Sequence, residues 1–182
     1  MKKTNKLMAG MVLGALLAVS ASGMNIVLPK KIRGTSFGIQ AKSVSFESKL
    51  AVKDTTVYGL YMHLNKDLGA PLAWGYKLGF EIDYANMDTD NGKSFNYTDY
   101  YALFAPTYTI GTGGGNIRFY AGGKFGYNGF ENSTGYTYGY IAGAEYNYKM
   151  LNVGVDYFSG TTDIEGFDFD ISEAGLYLGL NF

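Results

Sequence analysis

The sequence contains no cysteine, only three prolines and a single histidine among its 182 residues. The lack of cysteine excludes disulfide frameworks, thiol nucleophiles and cysteine-based zinc sites. The formal net charge is only −1 at pH 7, whereas a nucleic-acid-binding protein typically has a large basic surplus. We therefore expect neither a cofactor nor a nucleic-acid partner.

After residue 23 the chain also lacks any long apolar run. Residues 1–23 begin with three lysines, continue with an apolar run over 7–19 and end in small residues, which is typical of a secretory signal peptide. Cleavage after Ala21 and cleavage after Gly23 are equally compatible with this pattern. A membrane anchor is disfavoured, because a spanning helix needs about 20 apolar residues. We expect the mature domain to comprise residues 24–182, with 12 basic and 16 acidic residues.

Glycine and aromatic residues are abundant, with 26 Gly, 17 Tyr and 12 Phe. Residues 74–84 alternate large apolar side chains with glycine or charged residues, and this period of two predicts a strand. A tilted strand that crosses a bilayer needs roughly 9–11 residues with apolar side chains toward lipid. The stretch has the length and the pattern of such a strand.

Seven further stretches alternate in the same way, so the sequence predicts eight strands whose connections alternate between longer and shorter. In the first strand the apolar set moves from Phe37, Ile39 and Ala41 to Val44 and Phe46, which we interpret as a bulge near Lys42 or Ser43. Polar connections are predicted at 47–55, 65–71, 85–97, 111–116, 128–135, 149 and 159–170. The expected fold is an all-β, eight-stranded, antiparallel up-and-down transmembrane β-barrel.

Aromatic residues recur near both ends of the predicted strands, as expected for girdles at the two membrane interfaces. The girdle residues are Trp74, Tyr84, Tyr100, Tyr108, Tyr138, Tyr146, Tyr148 and Tyr157.

The leader, the repeated alternating strands and the ending Gly-Leu-Tyr-Leu-Gly-Leu-Asn-Phe resemble the small eight-stranded outer-membrane barrels of the OmpA/OmpX and opacity-like porin group. The resemblance implies export to the outer membrane of a Gram-negative bacterium. It also implies that the terminal aromatic residue, Phe182, is the signal read by the barrel-insertion machinery. The implied partners are outer-membrane lipids, lipopolysaccharide, that machinery, and a surface or host partner contacted through the loops.

A soluble, lipocalin-like barrel with apolar faces turned inward around a ligand would show the same alternation. Large side chains opposite glycines favour outward placement of the apolar face, because glycine relieves crowding in a narrow lumen.

The inward face is predicted to contain both acids and bases. Isolated charges in a narrow lumen are costly, so they are expected to pair or to hold water. Arg118 is expected near Glu145, and Lys124 is expected to offset the repulsion between Asp156 and Glu173. The predicted network comprises Lys77, Glu81, Asp83, Arg118, Lys124, Glu145, Asp156 and Glu173. It is compatible with a structural plug of ion pairs and also with a narrow path for solutes.

Catalysis and metal binding have little support in the sequence. His63 is the only histidine, no serine can be assigned beside it, and a hydrogen-bonded lumen histidine is favoured. Acidic stretches at 88–92 and 163–170 are interpreted as solvated loops that meet cation-bridged lipopolysaccharide, not as a dedicated metal site. We expect a non-enzymatic barrel that serves envelope integrity or surface interaction. The alternatives are a small porin-like channel and a lipid-modifying enzyme.

Overall fold

The computed structural model describes residues 34–46, 52–68, 73–112, 114–130 and 133–182. The predicted signal peptide lies outside these residues. Eight strands account for most of the described chain: β1 (Thr35–Phe46), β2 (Thr55–Asp67), β3 (Trp74–Asp88), β4 (Ser94–Gly111), β5 (Asn116–Phe130), β6 (Ser133–Tyr148), β7 (Leu151–Ile164) and β8 (Phe167–Asn181). No helix in the described residues is long and apolar enough to span a membrane.

Each strand pairs antiparallel with its sequence neighbour, and β8 pairs with β1, so the sheet closes into a barrel. The register, followed strand by strand from Ser36 through β2 to β8, returns to β1 at Phe46, ten residues farther along. A barrel of eight strands with this stagger requires a strand tilt of about 40°. The predicted fold, an eight-stranded antiparallel up-and-down barrel, is confirmed.

The barrel has two rims, which we name by their connections. The loop end is the rim where β1, β3, β5 and β7 finish, and the turn end is the opposite rim. At the turn end Phe182 is fixed to the start of β1, since its amide donates to the Thr35 carbonyl over 2.8 Å. The Phe182 ring lies edge-on to Phe37, with their centroids 6.2 Å apart.

Side chains alternate strictly between the inner and outer faces. On β3, Lys77, Glu81 and Asp83 are buried inside, whereas Trp74, Phe80 and Ile82 are exposed outside. Inward glycines leave room for large lumen side chains. A Cβ at Gly143 would lie 2.5 Å from the Tyr120 hydroxyl, and one at Gly154 would lie 2.3 Å from the Tyr177 hydroxyl.

The predicted girdle residues all face outward and are exposed. Trp74 and Tyr108 contact edge-on at the turn end, with ring centroids 5.2 Å apart, and Tyr146 stacks with Tyr148 at 6.5 Å. Tyr84 and Tyr100 lie on the part of the outer wall nearer the loop end. Aromatic rings therefore border the apolar outer wall at both of its ends.

The predicted bulge in β1 is wrong, because β1 pairs with both neighbours in unbroken register past Lys42 and Ser43. Val44 and Phe46 point inward, and Ser43 and Ser45 occupy the outward positions. What changes near Lys42 is which face is apolar, not the strand geometry.

Three predicted connections are also too long. The strands continue through most of 85–97, 128–135 and 159–170, and only 89–93, 131–132 and 165–166 separate them. The connection between β7 and β8 is a two-residue turn in which Glu165 and Gly166 have φ of 55° and 85°. Positive φ at both positions is typical of a type I′ hairpin. The expected alternation of longer and shorter connections therefore fails in the second half of the barrel, where 131–132, 149–150 and 165–166 each separate two strands by two residues.

Candidate functional site

The lumen is the candidate site. In the half nearer the turn end, its side chains are arranged around Glu145 on β6. Lys77 donates to one carboxylate oxygen of Glu145 over 2.6 Å, and Arg118 donates to the other over 2.6 Å. The Tyr177 hydroxyl adds a third donor at 3.0 Å. Arg118 also reaches Asp67 at the turn end, over 3.3 Å. A buried carboxylate with two charged donors and one neutral donor is strongly stabilised as an anion.

A second cluster lies closer to the loop end and contains two lysines. Lys42 donates to Glu81 and to Asp83, each over 2.6 Å. Lys124 contacts Glu173 over 2.6 Å and Glu81 over 3.1 Å. All five side chains are almost inaccessible to solvent. Because both lysines share Glu81, the cluster is one connected network that spans the lumen.

His63 on β2 joins the two clusters. Its Nε2 lies 3.4 Å from Glu81 and its Nδ1 lies 3.5 Å from the Lys77 ammonium, while the ring packs against Tyr61 at 4.5 Å between centroids. This arrangement matches the predicted hydrogen-bonded lumen histidine.

Aromatic rings complete the coordination of the buried lysines. The Lys124 ammonium lies 3.8 Å from the Tyr101 ring centroid, and the Lys77 ammonium lies 3.9 Å from that of Tyr120. Contacts this short add cation–π attraction to the ion pairs.

Carboxylates outnumber cations inside the barrel. Among the described residues, the lumen contains Lys42, Lys77, Arg118 and Lys124 against Glu81, Asp83, Asp99, Glu145, Asp156 and Glu173. Asp156 accepts a hydrogen bond from Tyr120 over 3.2 Å. Asp99 pairs in register with Asp83, and its two carboxylate oxygens are buried without a hydrogen-bond partner in the described chain.

Between Asp99 and the loop end, the lumen is filled by apolar side chains, which we name the apolar cap. The cap consists of Val44, Phe46, Val57, Ala85, Met87, Phe95, Tyr97, Phe130 and Ile171. Phe46 lies 5.9 Å from Tyr97 and 6.3 Å from Phe130, between ring centroids. The Tyr97 hydroxyl accepts from Asn128 over 3.1 Å, which satisfies the one polar atom of that ring. The cap closes the lumen at the loop end with the packing of a soluble core.

All eight residues of the predicted lumen network point into the barrel. The structure brings Arg118 together with Glu145 and Lys124 together with Glu173. Within the described residues Asp156 forms an ion pair with neither cation and is instead hydrogen-bonded to Tyr120. Sequence reasoning missed Lys42 and Asp99, and it missed the apolar cap. The shift of the apolar set at Lys42 predicts a bulge instead of an inward lysine, and Asp99 lies between Tyr97 and Tyr101 on one face of a strand whose two faces both contain apolar residues.

The described residues contain no cluster of three metal-ligating side chains. The loop end is nevertheless acidic. In the described chain it contains Asp54, Asp88, Asp90, Asp163, Glu165, Asp168 and Asp170 against Lys53 and Lys93.

Two solved proteins illustrate the similarity of the barrel to known structures. Ail, the attachment invasion locus protein of Yersinia pestis, is 15% identical with a TM-score of 0.52, and the match covers 81% of this chain and 96% of Ail. Ail in complex with the heparin analogue sucrose octasulfate gives a TM-score of 0.53. Neisserial surface protein A is 12% identical with a TM-score of 0.53, over 82% of this chain and 97% of that protein.

No protein-family model and no curated protein sequence matches the chain. These structural neighbours are small eight-stranded outer-membrane barrels, and the chain has their fold. At this level of identity the likeness extends to the fold alone.

Proposed function

We propose that the protein is a non-enzymatic barrel of the Gram-negative outer membrane whose lumen does not conduct, and which acts through its place in the membrane and its loop end. The apolar outer wall with aromatic rings at both ends supports membrane insertion. The single observation on which the proposal rests is the double closure of the lumen, first by the ion-pair network and then by the apolar cap.

The two closures block solutes in different ways. An ion that crosses the network would have to displace Lys42 or Lys124 from their carboxylates. The carboxylates are buried, so water cannot take the place of the displaced lysine. Water and ions would then meet a packed apolar cap, which excludes them by dewetting. The buried position of His63 likewise supports a structural role, because a substrate has no route to its ring.

Single-channel recording of the refolded protein in a planar bilayer tests the closed lumen, after heat-modifiable gel mobility has verified folding. Wild type and the single variants Lys124→Ala and Phe46→Ala are expected to stay silent, because each single change leaves one closure intact. The double variant Lys124→Ala with Phe46→Ala is expected to give openings. Reproducible openings by the wild-type protein would overturn the proposal in favour of a small channel.

We further propose that the loop end binds cationic surfaces, or anionic surfaces to which divalent cations bridge it. The described residues at this rim include seven acidic residues and only two lysines. Divalent cations can therefore bridge the rim to the phosphates of lipopolysaccharide. Ail has been solved with a heparin analogue, a polyanion. The acidic rim of this chain disfavours such a ligand.

Immobilised heparin provides the corresponding test at the loop end. The folded protein is expected to pass through without retention at about 0.15 M salt, whereas lipopolysaccharide binding is expected to require Mg²⁺ or Ca²⁺. Retention on heparin, or lipopolysaccharide binding that survives a chelator, would contradict this part of the proposal.

A further inference from the structure

The opening of the lumen at the loop end, which we name the mouth, presents apolar side chains to solvent. On β8 every second residue faces the lumen, and beyond the buried Ile171 these positions are Phe169 and Phe167. Phe169 is half-buried, whereas Phe167 is 68% exposed. Ile164 pairs with Phe167 across the hairpin and is half-buried on the same face. The barrel therefore leaves part of this apolar surface uncovered.

The other side of the mouth continues the same surface. Phe95 on β4 and Phe130 on β5 face the lumen, are half-buried and lie 6.0 Å apart between ring centroids. Phe130 also contacts Tyr97 of the cap at 5.2 Å, so the cap supports the rings at the rim. Eight strands spaced by about 4.8 Å and tilted by about 40° give a barrel about 16 Å across. The mouth is thus wide enough for one peptide segment and too narrow for a folded domain.

A buried hydroxyl group lies beneath the exposed rings. Thr162 faces the lumen on β7, opposite Phe169, and is fully buried. Its Oγ1 has no hydrogen-bond partner in the described chain. A hydroxyl can donate to a peptide carbonyl or accept from a peptide N–H, and an unmet hydrogen bond is costly. A peptide bound at the mouth can remove this cost.

Acidic side chains border the apolar surface on the hairpin between β7 and β8. They are Asp163, Glu165, Asp168 and Asp170. Residues 163–170 contain no lysine or arginine. Asp163 accepts from the Gly166 amide over 2.9 Å, and Glu165 accepts from the Ser133 hydroxyl over 2.7 Å. Both donors are neutral, so these hydrogen bonds leave the negative charges of the hairpin uncompensated.

The apolar surface and the acidic hairpin together select one class of ligand. A divalent cation would satisfy the carboxylates, but it would gain nothing from the exposed rings. An acidic or purely apolar ligand would meet the carboxylates without compensating them. A basic peptide with an apolar side chain gains from both features, because that side chain is removed from water against Phe167.

We propose that the mouth binds a cationic peptide segment. One of its apolar side chains lies against Phe167 and Phe169, and basic side chains on either side of it contact the acids of the hairpin between β7 and β8. The inference rests on the proposed function of the loop end, which it deepens by naming the chemistry of the partner. It also gives a role to exposed rings that charge alone leaves unused.

Phe167→Ala tests the apolar contact, since it removes the exposed ring and changes no charge. Tyr136→Ala is the matched control, because Tyr136 is 56% exposed near the loop end but faces outward on β6. Neither ring is buried, so both variants are expected to fold as the wild type does.

Glu165→Gln combined with Asp168→Asn tests the charge, since it removes two acids from the hairpin between β7 and β8. Asp88→Asn combined with Asp90→Asn is the matched control. It removes two acids from the hairpin between β3 and β4, which also contains Lys93.

The experiment measures fluorescence anisotropy of peptides with a neutral dye against the barrel in phosphatidylcholine nanodiscs, with empty nanodiscs as the blank. The peptides are Lys-Lys-Leu-Phe-Leu-Lys-Lys, Lys-Lys-Ser-Ser-Ser-Lys-Lys and Glu-Glu-Leu-Phe-Leu-Glu-Glu. Wild type and Tyr136→Ala are expected to bind the first about tenfold more tightly than the second, and not to bind the third. Phe167→Ala is expected to bind the first two equally.

The charge variants are compared by the same measurement at low salt. Glu165→Gln with Asp168→Asn is expected to weaken the binding of both basic peptides about fivefold. Asp88→Asn with Asp90→Asn is expected to weaken it less than about twofold, because the basic side chains do not contact that hairpin.

Insertion and heat-modifiable mobility are measured first for every variant, so that loss of binding is not loss of fold. Equal affinity of wild type for the two basic peptides would overturn the inference and leave the proposed function of the loop end intact. An unchanged preference in Phe167→Ala, or undiminished binding by Glu165→Gln with Asp168→Asn, would also overturn it. Binding of neither basic peptide, or tighter binding of the acidic one, would overturn the proposed function of the loop end as well.

Discussion

The ion-pair network and the apolar cap fill the same lumen by opposite means. In the network, each buried charge depends on its partner, as Glu145 depends on Lys77 and Arg118 at 2.6 Å each. In the cap, Phe46, Tyr97 and Phe130 depend on shape, with ring centroids 5.2 to 6.3 Å apart. Loss of one partner leaves a buried charge in the network, whereas it leaves only a cavity in the cap.

The position of each region explains its chemistry. Around the network the outer wall is apolar, so polar side chains can only turn inward. Around the cap the outer positions are polar, as with Asn86, Asp88 and Asn96, while Met87 and Tyr97 point inward. In the proposed membrane location, the cap is the core of the part of the barrel that extends beyond the lipid. In that location, the inversion of polarity between the faces marks the level at which the barrel leaves the hydrocarbon.

Glu145→Gln is expected to have the largest effect, because it leaves Lys77 and Arg118 buried without their common anion. Breaking a buried pair in this way costs about 3–5 kcal/mol. Urea unfolding of the vesicle-inserted protein, followed by fluorescence of the single tryptophan, Trp74, measures the loss. Glu165→Gln, on the exposed hairpin, is the control and is expected to change little. A loss below about 1 kcal/mol for Glu145→Gln would mean that water takes the place of the anion.

Phe46→Ala tests the cap and is expected to lower the free energy of unfolding by about 3 kcal/mol, at the low end for a buried phenylalanine because the ring lies at the rim. The loss of unfolding free energy is expected to be independent of the salt concentration, since the substitution exposes no charge. The same urea titration at low and high ionic strength measures both quantities. Phe167→Ala, at the exposed hairpin, serves as the control. Salt-dependent destabilisation would indicate that the cap holds the network in place and is not an independent closure.

The two regions also differ in how far the sequence predicts them. The network residues alternate with large apolar neighbours on β3, β5 and β6, so a period of two places Glu81, Lys124 and Glu145 inward without ambiguity. The ion pair between Arg118 and Glu145 follows from the hairpin register alone. Partners across the lumen, such as Lys42 with Glu81, depend on the stagger of the closed barrel, which no single strand encodes.

The sequence did not predict the cap. In its strands the alternation keeps a period of two, but the apolar side chains change from the outer face to the inner face. In β1 the shift of the apolar set from Ala41 to Val44 predicts a bulge, and in β7 and β8 the outward polar residues predict a loop, whereas in the structure all three strands continue through these positions. A bulge shifts the register, whereas an exchange of faces leaves it continuous, and the sequence pattern is the same in both cases. Only the pairing with a neighbouring strand separates the two.

Asp99→Asn is expected to have the smallest effect and the opposite sign. Asp99 lies at the boundary between network and cap, opposite Asp83, and neither of its carboxylate oxygens has a hydrogen-bond partner in the described chain. A buried carboxyl group without a cationic partner is unfavourable as an anion and must bind a proton to become neutral, whereas an amide of the same shape is neutral at every pH, so the variant is expected to be more stable by about 1 kcal/mol. The same urea titration measures the gain.

Asp83→Asn is the matched control, because the Asp83 carboxylate accepts from Lys42 over 2.6 Å and from Gln40 over 2.7 Å. Its loss is expected to destabilise the barrel, although the two aspartates face each other across one strand pair. Opposite signs at adjacent positions would place the boundary between the two closures between these residues. A stability loss for Asp99→Asn comparable to that of Asp83→Asn would show that Asp99 belongs to the network and that the ionic part of the lumen extends up to Tyr97.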